Sequence, residues 1–137
     1  MGELVVHVFR LNGLLIALGD GMAEPSGQTS ARWRVLAAID EKPLSVAQIA
    51  RAWWLTRQSV QRIADVLVED GLATYEDNPN HRRAKLVRIT PRGLSALRGI
   101  RLRQRTWADA LGEEIGEPEL REANATLANV LEALTKP

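Results

Sequence analysis

Gln58, Gln61, Arg62 and Asp65 recur at the spacing that gathers them on one side of a helix. Val60, Ile63, Ala64 and Leu67 form an apolar i, i+3, i+4, i+7 stripe on the other side. Arginine and glutamine are the side chains that read base edges. Arg pairs with guanine and Gln with adenine, each bidentate contact contributing about 1–3 kcal/mol of discrimination. Thr56, Arg57 and Ser59 stand in the first turn, where side chains and backbone N–H groups can meet a phosphate. An ordinary amphipathic helix with a solvated outer face carries the same pattern, so this helix alone leaves both readings open. A second cluster shifts the balance. His81-Arg82-Arg83-Ala84-Lys85 sets three fixed positive charges on one turn. Charges this close repel one another, and a site that uses them needs an anionic partner. An arginine at a loop tip can enter a narrow minor groove, where the negative potential is enhanced.

The flanking residues predict the elements that hold these groups. Ser45 and Gln48 have capping-box spacing for a short helix with Val46, Ile49, Ala50 and Trp53 on its inner face. Thr56 caps the next helix, and Gly71 stands where a left-handed stop is expected. The pair, Ser45–Leu67, fits a helix-turn-helix whose first helix lies across the DNA backbone, which adds Ser45 to the candidate contacts. Ala73–Glu76 and Lys85–Ile89 read as two strands joined by the turn residues NPNHRR. Thr90-Pro91 starts a helix that runs to about Ile115; Gly116 ends it. Pro118 restarts a last helix, with Leu120, Leu127, Val130, Leu131 and Leu134 along a heptad-like seam.

Upstream, residues 3–18 form a helix that is apolar nearly all round, and Gly19, Gly21 and Pro25 are expected to end it. Such a helix is either internal to the core or packed against a second subunit. Thr29 or Ser30 caps a helix through Asp40, Lys42-Pro43 breaks it, and Leu44 makes a brief extended contact with the core.

With 137 residues, 45% of them hydrophobic, the chain suits one domain with a real core. Its net charge of +1 conceals a basic excess over residues 51–105 and an acidic excess behind it. Cysteine is absent, which excludes disulfides, thiol redox sensing and cysteine metal sites, and suits a reducing cytoplasm. Two histidines far apart offer no metal site. No Gly-rich phosphate loop, nucleophile motif or acid/base constellation points to an enzyme, and no cofactor is implied. Apolar runs are read as too short to cross a bilayer. Glu3 argues against a secretory signal, so no membrane association is expected.

The run QSVQRIADVLVEDGLA, followed by NPNHRRAKLVRITPRG, resembles the multiple-antibiotic-resistance-regulator (MarR) family of bacterial transcription factors. The long flanking helices occur in the same order, so the resemblance extends over essentially the whole chain. It implies a mainly α fold with a small β-hairpin wing: a winged helix-turn-helix (28–92) between an N-terminal dimerisation helix (1–25) and C-terminal dimerisation helices (93–137). The function implied is a cytoplasmic, homodimeric regulator, a repressor that binds a pseudo-palindromic operator in double-stranded DNA. Half-sites are then roughly 34–36 Å apart. Thr56–Arg62 fall on the family's recognition helix and Arg83 on its wing arginine, with Arg82 and Lys85 beside it. Many relatives release DNA on binding a small aromatic or phenolic ligand between the dimerisation helices and the winged region. The positional candidates here are His7, Arg10, Trp33 and Trp54, with Trp107 as a further wall.

The wing departs from the family pattern. Asn78 and His81 stand where relatives carry aspartate, which weakens the ion pairing that holds the wing. With the modest overall charge, this motivates an alternative: a winged-helix interaction module that has lost DNA binding.

Overall fold

The computed structural model describes residues 2–137. Helix α1 (Gly2–Ala23) leads through a 3-10 turn at Glu24–Ser26 to α2 (Ser30–Ala38). Strand β1 (Leu44–Ser45), helices α3 (Val46–Trp53) and α4 (Arg57–Glu69), and strands β2 (Ala73–Glu76) and β3 (Leu86–Ile89) follow. Helices α5 (Pro91–Ile115) and α6 (Glu117–Thr135) complete the chain. Two compact units divide it, Met1–Arg101 and Leu102–Pro137, with the boundary inside α5.

Local chemistry sets the helix starts. Ser45 and Gln48 make the full capping box: Gln48 N–H donates to Ser45 Oγ (3.2 Å) and Ser45 N–H donates to Gln48 Oε1 (2.9 Å). Thr56 Oγ1 accepts from Ser59 N–H (3.1 Å), and Thr29 Oγ1 accepts from Arg32 N–H (3.2 Å). Caps of this kind contribute about 1 kcal/mol each. Between α3 and α4 the chain turns at Trp54, whose φ of 54° is the one positive value at a non-glycine residue among those described. This left-handed residue closes α3, and the following Leu55 N–H donates to Ala50 O (2.9 Å).

The core of the first unit is assembled from every element of the helix-turn-helix. Val35, Leu36 and Ile39 meet Ile49, Ala50, Val60, Ala64 and Leu67, with Ala73 and Val87 from the sheet and Leu97 from α5. The sheet is antiparallel in the order β1-β3-β2, with Tyr75 opposite Val87 and Leu44 opposite the same Val87 on the other side. The brief extended contact expected at Leu44 is thus a third strand, which gives the wing a covered edge.

Several boundaries differ from the sequence reading. Helix α1 does not stop at Gly19 or Gly21 but continues to Ala23. Gly19 is buried beside α2, and a Cβ there would collide with Ser30 Oγ, so this glycine serves close helix contact rather than termination. Ser30 Oγ donates to Ile16 O (2.6 Å) and Ser30 N–H to Asp20 Oδ1 (2.7 Å), tying the end of α1 to the start of α2. Because the helix runs on, Gly2–Ser26 is long and apolar enough to cross a membrane by length and composition, which overturns the expectation that no run reaches that length. Helix α2 ends at Ala38, not Asp40, and β3 starts at Leu86, one residue later than read. Trp53, placed on the inner face of α3 by its spacing, is 40% exposed because α3 ends there.

The β2–β3 hairpin, α4 and α5 meet at one tight joint. Gly71 takes φ 77° after α4, and its carbonyl accepts from Thr90 Oγ1 (2.7 Å). Thr90 N–H donates to Leu72 O (3.1 Å), and Thr90 Oγ1 caps α5 by accepting from Gly93 N–H (3.2 Å). Gly93 is buried there: a Cβ would strike Leu72 O and lie 2.7 Å from Ile89 Cγ1. Gly93→Ala should therefore lower stability by about 1–3 kcal/mol, overpacking outweighing the gain in helix propensity. Gly21→Ala, with open space around its Cβ, should instead stabilise by up to about 1 kcal/mol. Urea unfolding of the two variants checks the contrast; equal shifts would refute the packing account.

Candidate nucleic-acid interface

Helix α4 is amphipathic in the predicted sense. Val60, Ala64 and Leu67 are buried in the core, while Arg57, Gln58, Gln61, Arg62 and Asp65 are exposed. The hairpin reaches the same side. A groove of about 580 Å³ is lined by Arg57, Gln58 and Gln61 of α4, Tyr75 of β2, and Arg83 and Lys85 of the wing. A second, of about 590 Å³, runs past Lys42, Arg51, Arg57 and His81. Arg57 and Ala84 line both, so the two form neighbouring stretches of one surface, open to solvent.

The charge on this surface is unneutralised. Among the described residues, ion pairs join Arg32 to Asp70, Arg88 to Glu76, Arg101 to Asp40, Arg121 to Glu117 and Lys136 to Glu132. Arg51, Arg57, Arg83 and Lys85, which line the grooves, have no carboxylate partner in that set, nor do the exposed Arg62 and Arg82, which line neither. Arg88 is the cation of the hairpin that the fold consumes. Its Nε and Nη2 donate to the two Glu76 oxygens at 2.6 and 2.9 Å across the β2–β3 pair. The guanidinium hydrogen bonds hold the Glu76 carboxyl below its ordinary range, and the carboxylate raises Arg88.

The wing keeps its shape without the two aspartates. Asn78 Oδ1 accepts from Asn80 N–H (3.0 Å), an Asx turn that asparagine makes as well as aspartate does. His81 N–H donates to Asn78 O (3.2 Å), and Ala84 N–H donates to His81 O (3.3 Å). The tip is held by backbone geometry, and Arg82 and Arg83 project into solvent.

Ser45 lines both grooves, yet it is 8% exposed and its oxygen is engaged in the α3 cap. Thr56 lines neither groove, and its Oγ1 is engaged in capping α4. Ser59 is half-buried. His7 and Arg10 lie exposed on α1; Trp33 packs half-buried against the core; Trp54 is 77% exposed at the α3–α4 turn. Neither groove includes any of these four residues. Trp107 is half-buried on the second part of α5.

Three residues form a network that spacing alone did not disclose. Gln61 Nε2 donates to Asp65 Oδ1 (3.0 Å) and to the Tyr75 hydroxyl oxygen (3.0 Å), and Tyr75 O–H donates to Asp65 Oδ1. These hydrogen bonds, the tyrosine's foremost, hold the Asp65 carboxyl below its ordinary range. Burial, and then the bond to Asp65, pushes the Tyr75 phenol well up. The i, i+4 spacing of Gln61 and Asp65 was visible, whereas Tyr75 enters through the sheet.

The MarR family sequence profile matches residues 26–84. An uncharacterized protein of Mycobacterium tuberculosis strain H37Rv, Rv2011c, is 36% identical over 134 residues, covering 98% of this chain and 94% of that protein. The fold is shared with the M. tuberculosis transcriptional regulator MosR in complex with DNA, at a TM-score of 0.75 and 23% identity, over 96% of this chain and 98% of that one. It is also shared with Staphylococcus aureus MarR in complex with salicylate and kanamycin, at 0.84 and 18%, over 97% and 91%. The three-stranded sheet behind the capped α4, the profile match and the fold shared with solved MarR-family regulators agree: the chain belongs to the MarR family, a family of winged-helix transcription regulators.

Proposed function

We propose that this chain is a homodimeric regulator of transcription in the bacterial cytoplasm, binding a pseudo-palindromic operator and acting as a repressor. The observation that carries the reading is the groove in which the outer face of α4 meets Arg83 and Lys85 of the wing, with cations that no acid among the described residues neutralises. Such a surface attracts a polyanion and releases its counterions on contact. A helix whose Gln58, Gln61 and Arg62 face outward then reaches base edges, while the wing takes the backbone or minor groove. The rival reading, an interaction module without DNA binding, gains nothing from exposed, unpaired cations on a wing that retains its turn.

The apolar faces support the dimer. Phe9, Leu14 and Leu11 of α1 are 72%, 65% and 50% exposed, and Leu131 and Leu134 of α6 are 59% and 77% exposed. Apolar surface of this extent on two helices favours association. A second copy also supplies the second reading head that a palindrome requires. It accounts for the membrane-like composition of α1 without a bilayer. Relief by a small aromatic acid fits the salicylate found with the S. aureus protein of the same fold. For this chain His7, Arg10, Trp33 and Trp54 are the residues proposed to meet it. The ligand must bind the DNA-incompetent state more tightly, or it shifts nothing.

Two measurements test the reading. In anisotropy titrations, Arg83→Ala should weaken binding across all duplexes and reduce the salt slope by about one. Arg62→Ala should cost about 1–3 kcal/mol on the preferred site and relax base preference. Parent-like binding by both variants would refute the assignment of the interface. In sedimentation equilibrium, the parent should be dimeric and Leu131→Glu should shift it toward monomer, whereas an unchanged mass would remove α6 from the interface.

A further inference from the structure

A bare carboxylate on the DNA-facing side of a recognition helix is unfavourable next to phosphates, yet Asp65 lies on the same face as Gln61. Its Oδ1 accepts from both the Tyr75 hydroxyl and the Gln61 amide nitrogen. The direction of each bond follows from chemistry. An ionised carboxylate only accepts, so Tyr75 must donate its single proton to Asp65. The Tyr75 oxygen is then left as an acceptor, and both neighbours of Gln61 demand the nitrogen end of its amide. Gln61 Oε1 makes no hydrogen bond among the described residues and is the end left to face outward. Turning the amide over would break both bonds and set two oxygens against a third.

We propose that Tyr75 and Asp65 are positioning residues for Gln61, holding its amide so that Oε1 reads an exocyclic amine, adenine N6 or cytosine N4, in the major groove. This deepens the DNA-binding reading above and rests on it. A glutamine free to rotate offers either end and accepts several bases. One held by its nitrogen rejects guanine O6 and thymine O4, which present acceptors. The tie also crosses from α4 to β2, so the orientation of the reading side chain is set by the wing sheet as well as by its own helix.

The test uses the full-length protein. A randomised duplex library identifies the preferred site, and duplexes carrying each of the four bases at each position of it are then titrated by fluorescence anisotropy. In the parent, one position in each half-site should favour adenine or cytosine over guanine or thymine by roughly three- to tenfold. Gln61→Leu should erase that ratio. Tyr75→Phe, which keeps the ring and removes only the hydroxyl, should bring the ratio at the same position toward one. Asp65→Ala should do the same and serves if Tyr75→Phe fails to fold, as judged by circular dichroism. A Tyr75→Phe or Asp65→Ala protein with the parent's ratio at that position would overturn the positioning role. A Gln61-dependent position that favours guanine or thymine would overturn the amide orientation. Absence of salt-dependent binding of any duplex by the parent would instead overturn the DNA-binding reading, and this inference with it.

Discussion

The close approach of α5 to the backbone after α4 is the constraint on which the rest of the winged unit depends. Gly71 ends α4, Leu72 carries the chain into β2, and Thr90 closes the hairpin by bonding back to both. Gly93 lets α5 start directly against the Leu72 carbonyl. A side chain at that point would separate α5 from the hairpin and move the wing relative to α4. Both parts of the candidate grip are therefore indexed to one joint a few residues wide, braced further by Arg92 Nη1 donating to Asp70 O (3.1 Å).

Around that joint, polar side chains are divided between holding and reaching. Ser45, Thr56 and Thr90 satisfy helix starts, Asn78 shapes the wing turn, and Arg88 with Glu76 ties the hairpin strands. Those groups are occupied. Arg57, Arg62, Arg82, Arg83 and Lys85 are left to solvent, where unpaired charge contributes little to folding but supplies long-range attraction for a polyanion. Gln61 belongs to both classes, tethered at its nitrogen and open at its oxygen.

The apolar helices pose the opposite problem. The unit from Met1 to Arg101 has a core drawn from α2 to α5, whereas α1 buries only Gly19 and Ala23. In the unit from Leu102 to Pro137, α6 has no buried residue. Helices with so much exposed leucine, valine and phenylalanine have their hydrophobic stabilisation still to gain, and burial yields roughly 25 cal/mol for each Å² covered. That is the physical ground for the proposed dimer.

Much of this was legible in the order of residues. Helix starts at Ser45, Thr56 and Thr90, the buried stripe of α4, the two hairpin strands and the stop at Gly116 follow from short-range capping, periodicity and turn chemistry. Such signals act over a few residues and survive folding unchanged. Glycine was ambiguous for the same reason: Gly19 read locally as a breaker, and only the approach of Ser30 makes it a contact point, as the approach of Leu72 does Gly93. Trp53 followed its helical spacing inward, but α3 ends before its face can close over it. The third strand needed the pairing of Leu44 with Val87, 43 positions apart. By itself the sequence determined which side chains of α4 and the hairpin carry the groups proposed to grip DNA. Tertiary structure alone decided that Gln61 is held by Tyr75, because a hydrogen bond between residues 14 apart exists only once the sheet has brought β2 against α4.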